Sequence, residues 1–130
     1  MTIRIFKTRH FQRWMNKAGL SDEMLVVAVL EMVAGLVDAD LGGGVLKKRI
    51  ALSGRGKRGS VRTLIATRRA DRWIFVFGFE KKQRSNVSAE ELKALRVLAD
   101  ELLGLSTAQL ELAKRESELM EVEYGREDKS

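Results

Sequence analysis

The stretch that decides the fold is Arg72-Trp-Ile-Phe-Val-Phe-Gly-Phe79. Its regular alternation predicts a β-strand, because successive side chains of a strand point to opposite faces. One face is expected to carry four aromatic rings, those of Trp73, Phe75, Phe77 and Phe79. The other face is also apolar, with Ile74 and Val76. A strand that is apolar on both faces belongs in the middle of a sheet that helices cover.

Two further strand-like runs precede this stretch, from Val45 to Leu52 and from Ser60 to Arg68. The first connection is the Gly-rich loop of residues 53–59, and the second is the tight turn of residues 69–71. Short connections of this kind favour antiparallel neighbours, so the three runs predict a meander.

The segments on either side of the meander have helical patterns. Residues 2–6 predict a first strand, and four Ser or Thr residues stand where helices begin, namely Thr8, Ser21, Ser88 and Ser106. The resulting order, β-α-α-β-β-β-α with a further C-terminal helix, predicts an α+β fold. We expect a small antiparallel sheet with helices packed on one face. Residues 1–104 would form the main domain, and residues 105–130 an acidic helical extension of it.

The second predicted helix is apolar almost all round. Leu25, Ala28, Val29, Met32 and Leu36 recur with a period of 3.6, and further apolar residues fill the remaining positions between Val26 and Val33. Such a helix is either deeply buried or covered by a partner.

Positive charge is concentrated in one part of the chain. The net charge is +6, but residues 45–86 alone contain 13 Lys or Arg against 2 Asp or Glu. This concentration favours a polyanionic partner, most simply a nucleic acid. The alternative is a solvated basic surface that only keeps the protein in solution.

Several other classes of protein receive no support. The chain has no cysteine and one histidine, His10, so we expect neither disulfides nor a metal site, and no cofactor. The longest apolar run, residues 24–30, is too short to span a bilayer, and the first residues do not resemble a signal peptide. A cytoplasmic protein is expected, with His10 as a surface residue of the first helix.

The loop from Gly54 to Gly59 matches the pattern G-x-G-x-x-G. A dinucleotide site needs a helix after these glycines, whereas a strand pattern follows here. We therefore interpret the segment as a basic hairpin loop that brings Arg55, Lys57 and Arg58 to a phosphate. An ordinary turn explains the same glycines equally well.

Basic side chains also occupy the predicted strands. Lys47 and Arg49 share a face, and Arg62 lies in mid-strand, where a permanent charge needs an anionic partner. Lys81, Lys82 and Arg84 follow the last strand directly. These positions indicate a phosphate-binding site, although charged strand edges also serve to prevent aggregation.

The chain resembles the RelE-like branch of the RelE/ParE toxin superfamily, the toxins of type II toxin–antitoxin pairs. Three segments carry most of the resemblance: Asp40 to Ala51, Gly54 to Leu64 and Phe75 to Asn86. It continues through Ser88-Ala-Glu-Glu-Leu92 and Glu121-Val-Glu-Tyr124. The resemblance implies the same fold order and a metal-independent cut in messenger RNA at the ribosomal A site.

By this resemblance Arg62 and Arg84 are expected to clamp the scissile phosphate, with Lys57 and Lys81 beside them as the rest of the catalytic set. Lys81 is the expected general base, with Glu80 as its rival. The RNA-binding residues implied in the same way are Lys47, Lys48, Arg49, Arg55, Arg58, Lys82 and Asn86. Several relatives use a histidine or tyrosine near the end of the sheet as acid or base. This chain has no such residue at that place, which leaves proton transfer unassigned.

The resemblance also implies partners. They are a cognate antitoxin of the helix-turn-helix repressor type, the ribosome and messenger RNA. Binding to a membrane is not expected. The antitoxin is expected on the basic face or against the apolar second helix. Two other functions remain open: a non-catalytic inhibitor of DNA gyrase of the ParE kind, and a simple nucleic-acid-binding module.

Overall fold

The computed structural model describes residues 2–52 and 59–124, which form ten helices and strands. In chain order these are β1 Arg4–Thr8, α1 Arg9–Ala18, α2 Asp22–Val33, β2 Ala39–Asp40, β3 Val45–Ala51, β4 Ser60–Thr67, β5 Arg72–Glu80, α3 Ala89–Leu103, α4 Thr107–Arg115 and β6 Leu119–Val122.

All six strands belong to one sheet, in the order β2-β3-β4-β5-β1-β6. The expected meander is present, because β3 pairs antiparallel with β4 and β4 with β5. The strand β1 runs parallel to β5 and lies between β5 and β6. The α+β fold is therefore confirmed, with one parallel pair in a mostly antiparallel sheet.

Helices cover both faces of the sheet, so the expectation of helices on one face was wrong. One core cluster joins α1 and α2 to β-residues such as Ile5, Trp73 and Phe75. The other joins α3 and α4 to Phe6 and Ile74 on the opposite face. The physical reason is the composition of β5: both of its faces are apolar, and each has to be removed from water.

A β-bulge divides β5. Leu64 pairs with Phe77 and Ile65 pairs with Phe75, which leaves Val76 as an extra residue. The alternation predicted that the four aromatic rings share one face, and this prediction was wrong. Trp73 and Phe75 face α1 and α2, whereas Phe77 faces the other side. A bulge changes the direction of every side chain that follows it, and period-2 alternation does not reveal it.

Four caps begin the helices where the sequence placed them. The Thr8 side chain accepts a hydrogen bond from Phe11 N–H, and Ser21 accepts one from Met24 N–H. Ser88 and Ser106 form capping boxes with Glu91 and Gln109 in turn. Local chemistry is sufficient to define these boundaries, because a cap satisfies N–H groups that a helix leaves free.

The C-terminal extension is a helix followed by a strand, not helical throughout as expected. Strand β6 pairs with β1, and the Glu121 carboxylate accepts hydrogen bonds from Arg4 Nε at 2.9 Å, Arg4 Nη2 at 2.8 Å and Lys114 Nζ at 2.7 Å. These cations hold the pKa of Glu121 at about 2. Helix α4 and strand β6 therefore pack in the same sheet and core as the rest of the chain. The domain boundary at residue 104 stays a prediction.

The outer side of α2 is exposed. Leu25, Ala28, Val29 and Met32 are buried against the sheet, whereas Val27 and Leu30 are about half exposed. In the part of the chain described here, no helix is long and apolar enough to cross a membrane.

Gly78 is required for the packing of α1 on β5. A Cβ atom at residue 78 would lie 2.2 Å from Cζ3 of Trp14, a distance that real atoms do not adopt. We expect Gly78→Ala to lower the free energy of unfolding by about 2–3 kcal/mol, since it forces the indole off the sheet. Urea denaturation checks this, with Gly104→Ala as a control whose closest contact would be 3.2 Å. Equal stability of the two variants would contradict the packing described.

Candidate nucleic-acid interface

A row of basic side chains crosses the sheet near the ends of β3 and β4. Arg49 lies opposite Arg62, and Arg62 lies opposite Phe79, so the three residues occupy the same face on adjacent strands. Lys47 is two residues before Arg49 and shares that face. We call this surface, together with Arg84, the basic face.

Arg84 lies at one end of the basic face, in the turn region after β5. Its guanidinium carbon lies 5.7 Å from the ring centroid of Phe77 and 5.9 Å from that of Phe79. Its Nη1 donates to Glu91 Oε1 at 2.5 Å. Cation–π contacts and a charge-assisted hydrogen bond hold the side chain in place. Arg84 therefore lies over Phe79, the cross-strand partner of Arg62, whereas the Arg62 side chain itself donates from Nη1 to Ser60 Oγ at 3.2 Å.

Glu91 joins this surface to α3. The carboxylate accepts hydrogen bonds from Arg84 and from Ser88 N–H, the N-cap of the helix. The hydrogen bond from Arg84 is the main reason that the pKa of Glu91 falls to about 2, and it raises the pKa of Arg84. An incoming phosphate would compete with Glu91 for the same guanidinium.

Lys48 lies away from the other basic residues. It is buried on the opposite face of the sheet, where Nζ donates to Leu36 O and pairs with Glu31 Oε1, both at 2.9 Å. Alternation along β3 separates it from Lys47 and Arg49. Its surroundings indicate a structural contact between β3 and α2.

The remaining expected site residues have looser surroundings. Lys81, Lys82 and Asn86 are exposed in the segment after β5, and Lys82 Nζ lies 3.9 Å from Glu80. Glu80 pairs across the sheet with Val61, a residue of the α1–α2 cluster, so it lies on the face opposite Phe79. The other three predicted residues lie outside the described residues: Arg55, Lys57 and Arg58.

His10 is exposed, as the sequence predicted, and it contacts the ring that also lies under Arg84. Its ring stacks on Phe77 with 5.8 Å between centroids and an interplanar angle of 8°. Phe77 also lies under Arg84, so one ring connects the imidazole to the guanidinium. The parallel pairing of β1 with β5 brings the start of α1 to this position. No local signal in the sequence predicts that pairing.

An apolar groove of about 880 Å³ continues from His10 and Phe77 between α1, α3 and α4. Leu98 and Leu112 line it further away, and Arg13 lies at its rim. Among residues 2–52 and 59–124, no three His, Cys, Asp or Glu side chains are grouped so as to hold a metal ion.

A comparison with known protein families shows which family this chain belongs to. The sequence model of the family described as "RelE toxin of RelE / RelB toxin-antitoxin system" matches residues 3–122. The chain belongs to the RelE toxin family. This RelE-family protein is thus the toxin of a toxin–antitoxin system, and an antitoxin is its partner. No curated protein matches the chain.

The coupling between Arg84 and Glu91 can be measured directly. In Arg84→Ala we expect the pKa of Glu91 to rise from about 2 toward the ordinary value, because its main hydrogen bond is lost. Wild-type stability should therefore decline as pH falls from about 4.5 toward 2, and that decline should weaken in the variant. Side-chain carboxyl NMR titration measures the shift, with Arg68→Ala as the control. A pKa that stays near 2 in Arg84→Ala would contradict the contact.

Proposed function

We propose that this toxin is a ribosome-dependent endoribonuclease that cleaves messenger RNA and so inhibits translation. The observation that supports this most directly is the position of two arginines relative to Phe79 on the basic face: Arg62 is its cross-strand partner, and the Arg84 guanidinium lies over its ring. Arginines on one face of a sheet are suited to bind phosphate, because each guanidinium presents several N–H donors.

The reaction proposed is internal transesterification. The 2′-oxygen of a ribose attacks the adjacent phosphorus, the bond to the 5′-oxygen of the next nucleotide breaks, and a 2′,3′-cyclic phosphate and a 5′-hydroxyl result. The 2′-hydroxyl loses a proton, and the leaving oxygen gains one. Charge accumulates on the phosphorane, where Arg62 and Arg84 stabilise it, while Lys47 and Arg49 bind flanking phosphates.

Two side chains are candidates for proton transfer. Histidine is the residue type best suited to exchange protons near neutral pH, and His10 lies against Phe77 beside Arg84. Lys81 lies in the exposed turn after β5. We assign the transfer to His10 in preference to Lys81, because the structure gives His10 a defined position on the ring that supports Arg84.

Messenger 5′-end mapping in cells that express the full chain tests the proposal. Wild type is expected to produce in-frame, translation-dependent cuts, and Arg62→Ala and Arg84→Ala should each reduce them about 100-fold or more. Arg68→Ala is the matched control, because Arg68 is an exposed arginine that pairs with Asp100. Its cutting should stay within about two-fold of wild type.

The same assay separates the two possible roles of His10. Loss of cutting in both His10→Gln and His10→Phe supports proton transfer. Cutting that survives in His10→Phe but not in His10→Gln would assign His10 to stacking alone and return proton transfer to Lys81.

The outcomes also distinguish the rival functions. Intact messages in cells that wild type poisons would contradict the nuclease and favour an inhibitor of DNA gyrase. Harmless expression, with RNA bound but uncut, would favour a binding module. The proposed nuclease acts in the cytoplasm on translating ribosomes, and its antitoxin is proposed to be a helix-turn-helix repressor encoded beside it.

A further inference from the structure

Arg84 is paired with a carboxylate, and the other cations of the basic face are not. Its Nη1 donates to Glu91 Oε1 at 2.5 Å. Arg62 donates to a serine hydroxyl instead, and no carboxylate within residues 2–52 and 59–124 pairs with Lys47 or Arg49. A carboxylate on one of four cations does little to lower the charge of the whole surface. Its position therefore indicates a local role at Arg84.

The ion pair can open without either side chain losing its other contacts. The Arg84 guanidinium also lies over the rings of Phe77 and Phe79. Glu91 Oε1 also accepts a hydrogen bond from Ser88 N–H at 2.8 Å, in the first turn of α3, where the helix dipole favours an acid. Opening the pair consequently exchanges one hydrogen bond and leaves the cation on its rings and the carboxylate in its cap.

The pair is also accessible to a ligand. The side chains of Arg84 and Glu91 are 40% and 34% exposed, which leaves the shared hydrogen bond within reach of a phosphate oxygen. A guanidinium forms the same kind of charge-assisted hydrogen bond with a carboxylate and with a phosphate. The two anions therefore compete for one donor.

We propose that Glu91 is an internal counter-ion, which occupies Arg84 in the free toxin and which the scissile phosphate displaces. RNA that contacts Arg84 alone gains one hydrogen bond at the expense of another, so its net gain is small. RNA that also contacts Arg62 and Arg49 has further charge contacts that offset the exchange. Glu91 thus sets a minimum number of contacts for stable binding. The inference rests on the proposed binding of the scissile phosphate by Arg84.

Fluorescence anisotropy of the full chain with a labelled single-stranded RNA, 2′-O-methylated to prevent cleavage, tests the exchange. Glu91→Gln removes the charge and keeps the capping box, in which glutamine serves as well as glutamate. We expect this variant to bind about three- to ten-fold more tightly than wild type, because the phosphate no longer displaces a charged competitor.

The matched control is Glu90→Gln. It removes the same charge from the same turn of α3, and Glu90 is exposed. The ion pairs of the described residues do not include Glu90, so the affinity of this variant should stay within about two-fold of wild type. Circular dichroism verifies that both variants are folded.

A double-mutant cycle assigns the effect to Arg84. In the Arg84→Ala background, Glu91→Gln should change the RNA affinity by no more than the control does, about two-fold at most. An equal gain in both backgrounds would show that Glu91 acts only through its charge, and it would overturn the exchange.

The carboxyl carbon resonance of Glu91 at neutral pH provides an independent readout. Its position in free Arg84→Ala marks the carboxylate without its arginine partner. Saturating RNA is expected to move the wild-type resonance toward that position. A resonance that stays at its position in the free wild type would mean that Glu91 keeps Arg84, and it would contradict the proposal.

The remaining outcomes separate this inference from the proposed nuclease. Wild-type or weaker affinity in Glu91→Gln would overturn the counter-ion role. Failure of wild type to bind the RNA would overturn the exchange together with the proposed phosphate contact. RNA binding that shows the exchange, combined with intact messages in cells, would overturn the nuclease alone.

Discussion

The bulge at Val76 is the constraint on which the rest of the structure depends. Before it, β5 places Trp73 and Phe75 in the core under α1 and α2; after it, Phe77 and Phe79 face the opposite side. The same change leaves Gly78 against Trp14, so α1 packs closely on β5. One extra residue therefore builds the aromatic support for Arg84 and for His10. Bulges commonly redirect side chains next to functional sites.

The sheet also separates two kinds of surface. Arg84 on one face is held by two rings and by Glu91, so its orientation is fixed before any phosphate arrives, which lowers the cost of binding it. The other face carries the exposed apolar residues of α2, and both acidic and basic side chains line the groove between α2 and β3. Lys48 and Glu31 join α2 to β3 at this second surface.

The sequence predicted what depends on local chemistry. Caps at Thr8, Ser21, Ser88 and Ser106 were identified because their hydrogen bonds lie within three residues, and the meander because its connections are short. It missed β6 and the stacking of His10 on Phe77, since both depend on strand pairing with β1 across long sequence separations. The burial of Lys48 was missed for the same reason, because its partner Glu31 lies on another element. In the site, the Arg84 guanidinium covers the ring whose cross-strand partner is Arg62, an arrangement that sequence spacing alone does not give. The phosphate clamp that the family resemblance implied for these two residues stays a prediction.

The central claim is that RNA binds the basic face. Backbone NMR of the labelled full chain, titrated with a short single-stranded RNA that is 2′-O-methylated to prevent cleavage, measures this residue by residue. If RNA binds the basic face, we expect shift changes concentrated at Arg49, Arg62, Phe79 and Arg84, with Val27 and Leu30 unchanged. Changes concentrated on α2, or none at physiological salt, would contradict it.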